Sequence, residues 1–177
     1  MINKEMIKYS KSMRFFHWFL FLIIFCNIIG GLLMKYLPNE SINKLSWYSI
    51  HKSIGVCVIL IVFLRVINRL FSKIPKFIYS VPLFDRIAAK INIFLLYCCM
   101  LIVPISGFVM SDSGKYGVKV FGMKIPNLLP KNQELAGIAH EVHCYANYVF
   151  IALIIFHLLG TFKHILIDKI NILKRIT

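Results

Sequence analysis

The sequence predicts an all-α integral membrane protein built as a four-helix bundle. Three observations predict it. Four apolar runs are each long enough to cross a bilayer, which takes about 20 residues. Hydrophobic residues make up 59% of the 177 and charged residues only 16%, with a mean hydropathy of +0.75; a soluble domain carries about 45–50% and about 25%. The Lys and Arg residues behind the net charge of +14 flank the apolar runs and form no single stripe. An ordinary water-soluble globule is excluded, and so is a disordered chain, which needs low hydrophobicity. The placement of charge points to lipid headgroups as partner; no nucleic-acid partner is expected.

The first run, 15–34, is longer than the h-region of a signal peptide, contains His17 and has no small-x-small cleavage site before Lys35, so it is expected to stay as a span. The second, 47–71, carries charge only near its ends. The third is 91–110 and the fourth 142–162. Helices are expected because a lone span must satisfy its backbone internally; barrel strands would be shorter and alternating. Segment 72–83, with Pro75 and Pro82, is a short loop. Segment 111–139, with Gly114, Gly117, Gly122, Pro126 and Pro130, reads as an ordered outer lid with turns. No repeat appears, and one membrane domain, 1–177, is expected.

Basic residues orient the bundle. Fourteen, from Lys4 to Arg14, Arg65 to Lys90 and Lys163 to Arg175, fall on one side; seven, namely Lys35, Lys44, Lys52 and four lysines of the outer loop, fall on the other. The positive-inside rule puts both termini in the cytoplasm.

Ionisable groups inside spans are expensive and point to function. His17 lies in span one, His51 in span two, His143 and His157 in span four. The last two are fourteen residues apart, nearly four turns, so they leave one face about 21 Å apart along the axis. His17 is level with His157 towards the inside, and His51 with His143 towards the outside. Two histidine pairs on facing helices are how a bundle holds two b-type haems. A lone intramembrane histidine also serves as a hydrogen-bonding packing residue; four at two matched depths favour ligation. Arg65, fourteen residues after His51, should face the inner level and meet a haem propionate. Gly55, four residues after His51, leaves room for a flat macrocycle.

The ordered set of motifs resembles the bacterial cytochrome b561 family over nearly the whole chain. Arg14-Phe15-Phe16-His17-Trp18 resembles the family's opening. Ile50-His51-Lys52-Ser53-Ile54-Gly55, with Leu64-Arg65 and Arg69-Leu70, resembles its second helix. Pro104 to Gly107 and Phe108 to Met110 resemble the end of the third, and Phe121-Gly122 and Pro126 its outer loop. His140-Glu141-Val142-His143, His157, Lys163-His164 and Asp168 resemble its fourth helix and tail. The resemblance implies a diheme quinone-reactive cytochrome of the bacterial inner membrane, with His17, His51, His143 and His157 as iron ligands. Asn92 stands where many members carry a third-helix histidine.

The resemblance also implies superoxide oxidation: superoxide gives electrons to the haems, and ubiquinone or another quinone is the acceptor. Outer lysines Lys52, Lys115, Lys119, Lys124 and Lys131, against Glu40, Asp112, Glu134 and Glu141, would steer an anion, or are solvated loop charges. Lys52, beside His51, is the candidate catalytic residue. Quinone is expected in the inner half.

His164, seven residues past His157, shares the haem-bearing face; it is a candidate for quinone or propionate contact, or an interfacial histidine. His140 reads as solvent-exposed, with ligand and relay roles open. His-Glu-Val-His-Cys is not a zinc-protease HExxH. Cys26, Cys57, Cys98, Cys99 and Cys144 lack Cys-x-x-Cys spacing and read as small buried hydrophobes. Two other functions compete: an electron-transfer subunit docking a hydrogenase or dehydrogenase, and a non-haem carrier whose histidines bind Zn²⁺.

Overall fold

The computed structural model describes residues 7–38, 42–76 and 81–177. Lys4 and Glu40, two of the charges placed above, lie outside them. In hydrocarbon each backbone N–H must bond within its own segment, and the apolar runs accordingly form α1 (Lys11–Leu33), α2 (Ile42–Phe71), α3 (Leu83–Ser113) and α4 (Gln133–Leu166). All four are long and apolar enough to span a membrane, and the chain is a multi-pass membrane protein.

The helices outrun the apolar segments, because their polar ends lie at the height of the headgroups. The largest correction is at α4. It begins at Gln133, so nearly a whole helix start sits in the segment read as loop. Asn132 caps it, its side-chain oxygen accepting from Leu135 N–H at 3.0 Å, and Glu134 adds negative charge at the positive end of the helix dipole. Ser10 caps α1 in the same way, accepting from Met13 N–H at 3.3 Å. Pro104 stands inside a continuous α3.

Among the described residues, 9–18 and 175–177 meet at one end of the bundle. Tyr9 N–H donates to the Arg175 carbonyl at 3.0 Å, Trp18 Nε1–H to the Ile176 carbonyl at 3.0 Å, and the Arg14 guanidinium to the Thr177 backbone oxygen. An even number of crossings requires this.

The helices pack in sequence order, α1 on α2, α2 on α3, α3 on α4. Among the described residues no Cα of α4 comes within 8 Å of a Cα of α1 or α2. The fourth helix thus leans on the third and stands off the first two. Leu20, Val58, Val62, Cys99, Met100 and Phe150 form the buried layer that closes this gap at mid-height. Val58 lies halfway between His51 and Arg65, and Phe150 halfway between His143 and His157. The layer therefore separates an outer from an inner compartment. Facing lipid are Phe15, Phe25, Leu60, Phe63, Phe94 and Phe156.

The outer segment from Gly114 to Asn132 carries a two-stranded hairpin, β1 (Lys119–Val120) and β2 (Met123–Lys124), paired Lys119 to Lys124 and Val120 to Met123. Phe121 and Gly122 form its turn with φ of 47° and 87°; a tight two-residue hairpin of this kind needs positive φ at both positions. Two buried polar side chains pin the segment down. Ser53 Oγ on α2 accepts from Phe121 N–H at 2.9 Å, and Asp112 Oδ2 on α3 accepts from Leu128 and Leu129 N–H at 2.9 and 2.8 Å. Asp112 is fully buried, so it is a structural anchor and not one of the solvated outer charges.

Candidate functional site

Each histidine pair named by depth is brought ring to ring. The His17 and His157 ring centres lie 6.4 Å apart across α1 and α4; those of His51 and His143 lie 6.2 Å apart across α2 and α4. All four rings are partly buried. Two imidazoles on opposite sides of one metal, with bonds of about 2 Å and ring centres about 1 Å behind each nitrogen, would have centres about 6 Å apart. The spacing between the rings thus suits a bis-imidazole metal centre, and the gap beside α4 suits a flat ring around it.

The outer level opens into a cavity of about 390 Å³. Its lining includes His51, His143, Lys52, Gly31, Gly55 and Gly107. Two of these glycines cradle the two imidazole rings. A Cβ at Gly31 would meet His51 Cε1 at 3.1 Å, and one at Gly107 would meet His143 Cε1 and Nδ1 at 3.0 Å. At Gly55 an added Cβ meets nothing within 4 Å, so the space there is open, as a flat group requires. His143 Nδ1 donates to the Val103 carbonyl at 2.7 Å, which frees Nε2. His51 Nδ1 is buried without a hydrogen-bond partner among the described residues. These features fit haem at this level, held by His51 and His143.

At the inner level Arg65 lies beside the pair. Its NH2 group donates to His17 Nδ1 at 3.2 Å and its Nε–H to Tyr97 Oη at 3.1 Å. The Arg65 and Arg69 guanidiniums both lie 5.6 Å from the Tyr97 ring centre. The residues fit haem here too, with His17 and His157 the residues that would hold it and Arg65 a cation in contact with the pair.

His164 does not join the pairs. Its Nδ1 lies 2.6 Å from Asp168 Oδ2. Lys163 reaches the same carboxylate at 3.2 Å and also pairs with Asp85. The hydrogen bond from His164, then that from Lys163, holds the Asp168 carboxyl below its ordinary value of 3.8. His140 is exposed, its Nδ1 3.2 Å from Met110 Sδ and its Nε2 3.8 Å from Cys144 Sγ. All five cysteines are free thiols. Only Cys99 is buried, and Cys26 is exposed on its helix, which corrects the reading of all five as buried: lipid solvates a thiol as well as protein does.

Among the outer lysines, Lys52 lines the cavity. Lys131 is spent on backbone, donating to the Asp112 and Gly114 carbonyls at 2.7 and 2.8 Å, and so fixes the loop. Lys119 and Lys124 stand directly opposite on the hairpin. Asn92 Oδ1, in place of the third-helix histidine, is buried without a partner among the described residues. Sequence reasoning missed Gly31, Tyr97 and Lys35. Lys35, also on the cavity, donates to Tyr148 Oη at 2.9 Å. Gly31 follows Gly30 in an apolar span, and that doublet was the one available signal.

A membrane helical bundle that faces imidazoles across its seams is the framework of a membrane electron-transfer cytochrome of the b type. The chain belongs to the prokaryotic cytochrome b561 family, whose model matches residues 8–177. It is similar to cytochrome b561 homolog 2 of Escherichia coli (strain K12), 28% identical over 173 residues that cover 95% of this chain and 90% of the relative. It is also similar to cytochrome b561 homolog 1 of the same organism, 26% identical over 172 residues, covering 96% and 97%.

Proposed function

We propose that the chain is a diheme cytochrome of the bacterial inner membrane, with cytoplasmic termini, that oxidises superoxide at its outer face and passes the electrons to ubiquinone or another quinone. The observation that carries the two-haem reading is the pair of ring separations, 6.4 and 6.2 Å, at two depths of one bundle. Bound haem supplies one-electron redox chemistry at each level. The basic residues, fourteen against seven, support the orientation.

The chain's own residues do the rest. His51 and His143 hold the outer site, and His17 and His157 the inner one. The mid-height layer of Leu20, Val58, Val62 and Phe150 keeps water out between them. Lys52 at the cavity and the opposed Lys119 and Lys124 above it raise the local concentration of an anion. Like charges facing across a hairpin disfavour pairing by a few tenths of a kcal/mol or more, so their presence favours a steering role. Two superoxide ions become two O₂, and the two electrons, with two protons, convert quinone to quinol.

Haem content per polypeptide and reduced-minus-oxidised spectra test the first half of the reading; about two b-type haems are expected. Superoxide pulses with ubiquinone-1 test the second. Quinol should form at two superoxide per quinol, faster at low salt, and Lys52→Ala should lower the rate and flatten its salt dependence. Two haems with no superoxide-driven quinol, alongside a co-purifying hydrogenase or dehydrogenase, would shift the reading to an electron-transfer subunit. Colourless protein made with ample haem, holding Zn²⁺, would discard it.

A further inference from the structure

Three side chains that bind soft metals meet near the outer end of α4, apart from the two ring pairs. His140 and Cys144 stand one turn apart on α4, Met110 faces them from α3, and all three line the outer cavity. His140 Nδ1 lies 3.2 Å from Met110 Sδ, and its Nε2 lies 3.8 Å from Cys144 Sγ, a free thiol. The function proposed above uses none of the three.

The two contacts fix the chemistry of the ring. A thioether only accepts, so Nδ1 carries the hydrogen and Nε2 presents its lone pair to the thiol. An imidazole whose other N–H is held by a neighbour is oriented as metal-binding histidines are. An ion bonded to nitrogen at about 2.0 Å and to thiolate sulfur at about 2.3 Å, with an angle of about 120° between them, holds the two atoms about 3.8 Å apart. Among the described residues no third His, Cys or carboxylate joins the pair. A structural Zn²⁺ takes four such ligands, and hard cations take oxygen. Cu(I) is soft, accepts thiolate and imidazole, and is satisfied by two or three ligands. His140 is exposed, and Met110 and Cys144 are half-buried, so an ion reaches the pair without opening the core.

We propose that His140 Nε2 and Cys144 Sγ form a Cu(I) site at the outer end of the bundle, with Met110 as the residue that positions the imidazole. On binding, the Cys144 S–H bond breaks, its proton passes to water and a Cu–S bond forms, while Nε2 gives its lone pair to the same ion. Copper stays monovalent throughout. One positive charge replaces another, so the net charge at the outer cavity is unchanged. The site stands whichever donor and acceptor the electron-transfer reaction uses.

The test uses haem-loaded protein in detergent, without oxygen, titrated with Cu(I) against a competing Cu(I) chelator and then desalted. The parent should retain about one copper per chain. X-ray absorption should show nitrogen at about 2.0 Å and sulfur at about 2.3 Å from it. Cys144→Ser and His140→Ala should each lose the copper, with haem content and spectra as in the parent. Cys98→Ala, the control for the other thiols, should retain it. Met110→Leu should weaken binding about 10–100-fold, as loss of a ligand's orienting partner does. Met110→Gln, whose amide oxygen accepts from the same N–H, should recover most of that loss. Copper retained by Cys144→Ser or His140→Ala, copper lost only from Cys98→Ala, or an absorption spectrum without sulfur overturns the proposal. So does a parent that takes Zn²⁺ at these residues and no Cu(I). Binding as weak in Met110→Gln as in Met110→Leu overturns the role given to Met110.

Discussion

His143 Nδ1 lies 2.7 Å from the Val103 carbonyl oxygen, across α4 and α3. A carbonyl has no hydrogen to give, so His143 carries its proton on Nδ1 and turns the Nε2 lone pair outward. That is the tautomer a metal ligand needs, fixed by a backbone atom that mutation of a side chain leaves in place. His17 is in the opposite condition: Arg65 only donates, so His17 Nδ1 is the acceptor and the ring proton sits on Nε2. Ligation through His17 Nε2 thus requires its Nδ1 to take up a proton and Arg65 to let go.

The histidines should separate into two functional sets. His17→Ala or His157→Ala should remove or convert one haem, and His51→Ala or His143→Ala the other, leaving spectra and redox titrations that complement one another. Where the haem is lost and not converted, haem content should fall by about half. If His17 and His51 variants disturb the same spectral component, the pairing by facing rings is wrong.

Glycine substitutions probe the outer level without touching a ligand. In Gly107→Ala the new Cβ would sit 3.0 Å from the His143 ring, tighter than nearly all real contacts, so the ring must shift by a few tenths of an ångström. The outer haem component should weaken or broaden while the inner one keeps its spectrum. Gly30→Ala is the control, because a Cβ there meets nothing within 4 Å. Alanine favours a helix over glycine by roughly 1 kcal/mol, so this variant should be at least as heat-stable as its parent. Equal haem spectra in the two variants would contradict the cradle.

Much of this was legible in the residues. Apolar runs near 20 residues long mark the four helices, because hydrocarbon leaves the backbone no other partner. The fourteen-residue interval from His143 to His157 gives two levels on one face because the helix period is fixed. What could not be read depends on contacts between distant segments. Gly31 matters because α1 brings it against His51, and nothing local to Gly31 says so. The start of α4 at Gln133 was hidden by polar residues that belong to the interface. The hairpin turn is Phe121-Gly122, not the Asn-Gly that would have announced it, and its anchors, Ser53 and Asp112, come from two other helices. The spacing from His157 put His164 on the same face of α4, but its bond to Asp168 and the convergence of Asp85 from α3 depend on contacts that no spacing announces.

Arg65→Leu should lower the midpoint potential of the inner haem more than that of the outer one. Removing a positive charge beside the His17–His157 pair favours the oxidised, more positive state, so the sign is downward. A one-electron couple moves about 59 mV per 1.4 kcal/mol of lost interaction, and a partly buried guanidinium supports a shift of that order. Tyr97→Phe, which removes only the 3.1 Å hydrogen bond to Arg65 Nε, should move the inner potential in the same direction by less. Spectroelectrochemical titration reads both. An inner potential unchanged in Arg65→Leu would remove Arg65 from the inner site.

Asp112 should govern the outer lid. Its fully buried carboxylate accepts two backbone N–H groups, Leu128 at 2.9 Å and Leu129 at 2.8 Å, while Lys131 binds its backbone oxygen from the other side. Hydrogen bonds to a charged group contribute about 1.5–3 kcal/mol each, and an amide left buried without a partner costs about as much. Asp112→Ala should therefore destabilise the loop locally by about 2 kcal/mol or more, whereas Asp112→Asn, which keeps one accepting oxygen, should lose less. Hydrogen exchange of residues 114–132 is the measurement: at about 1.4 kcal/mol per factor of ten, Asp112→Ala should speed it roughly thirtyfold, with little change in α1 or in the inner half of α4. Because Val118 of this loop lines the outer cavity, the same variant should open the outer haem to solvent reductants and leave the inner one as it was. Exchange in 114–132 no faster than in the parent protein would mean that Ser53 and Lys131 hold the lid without Asp112.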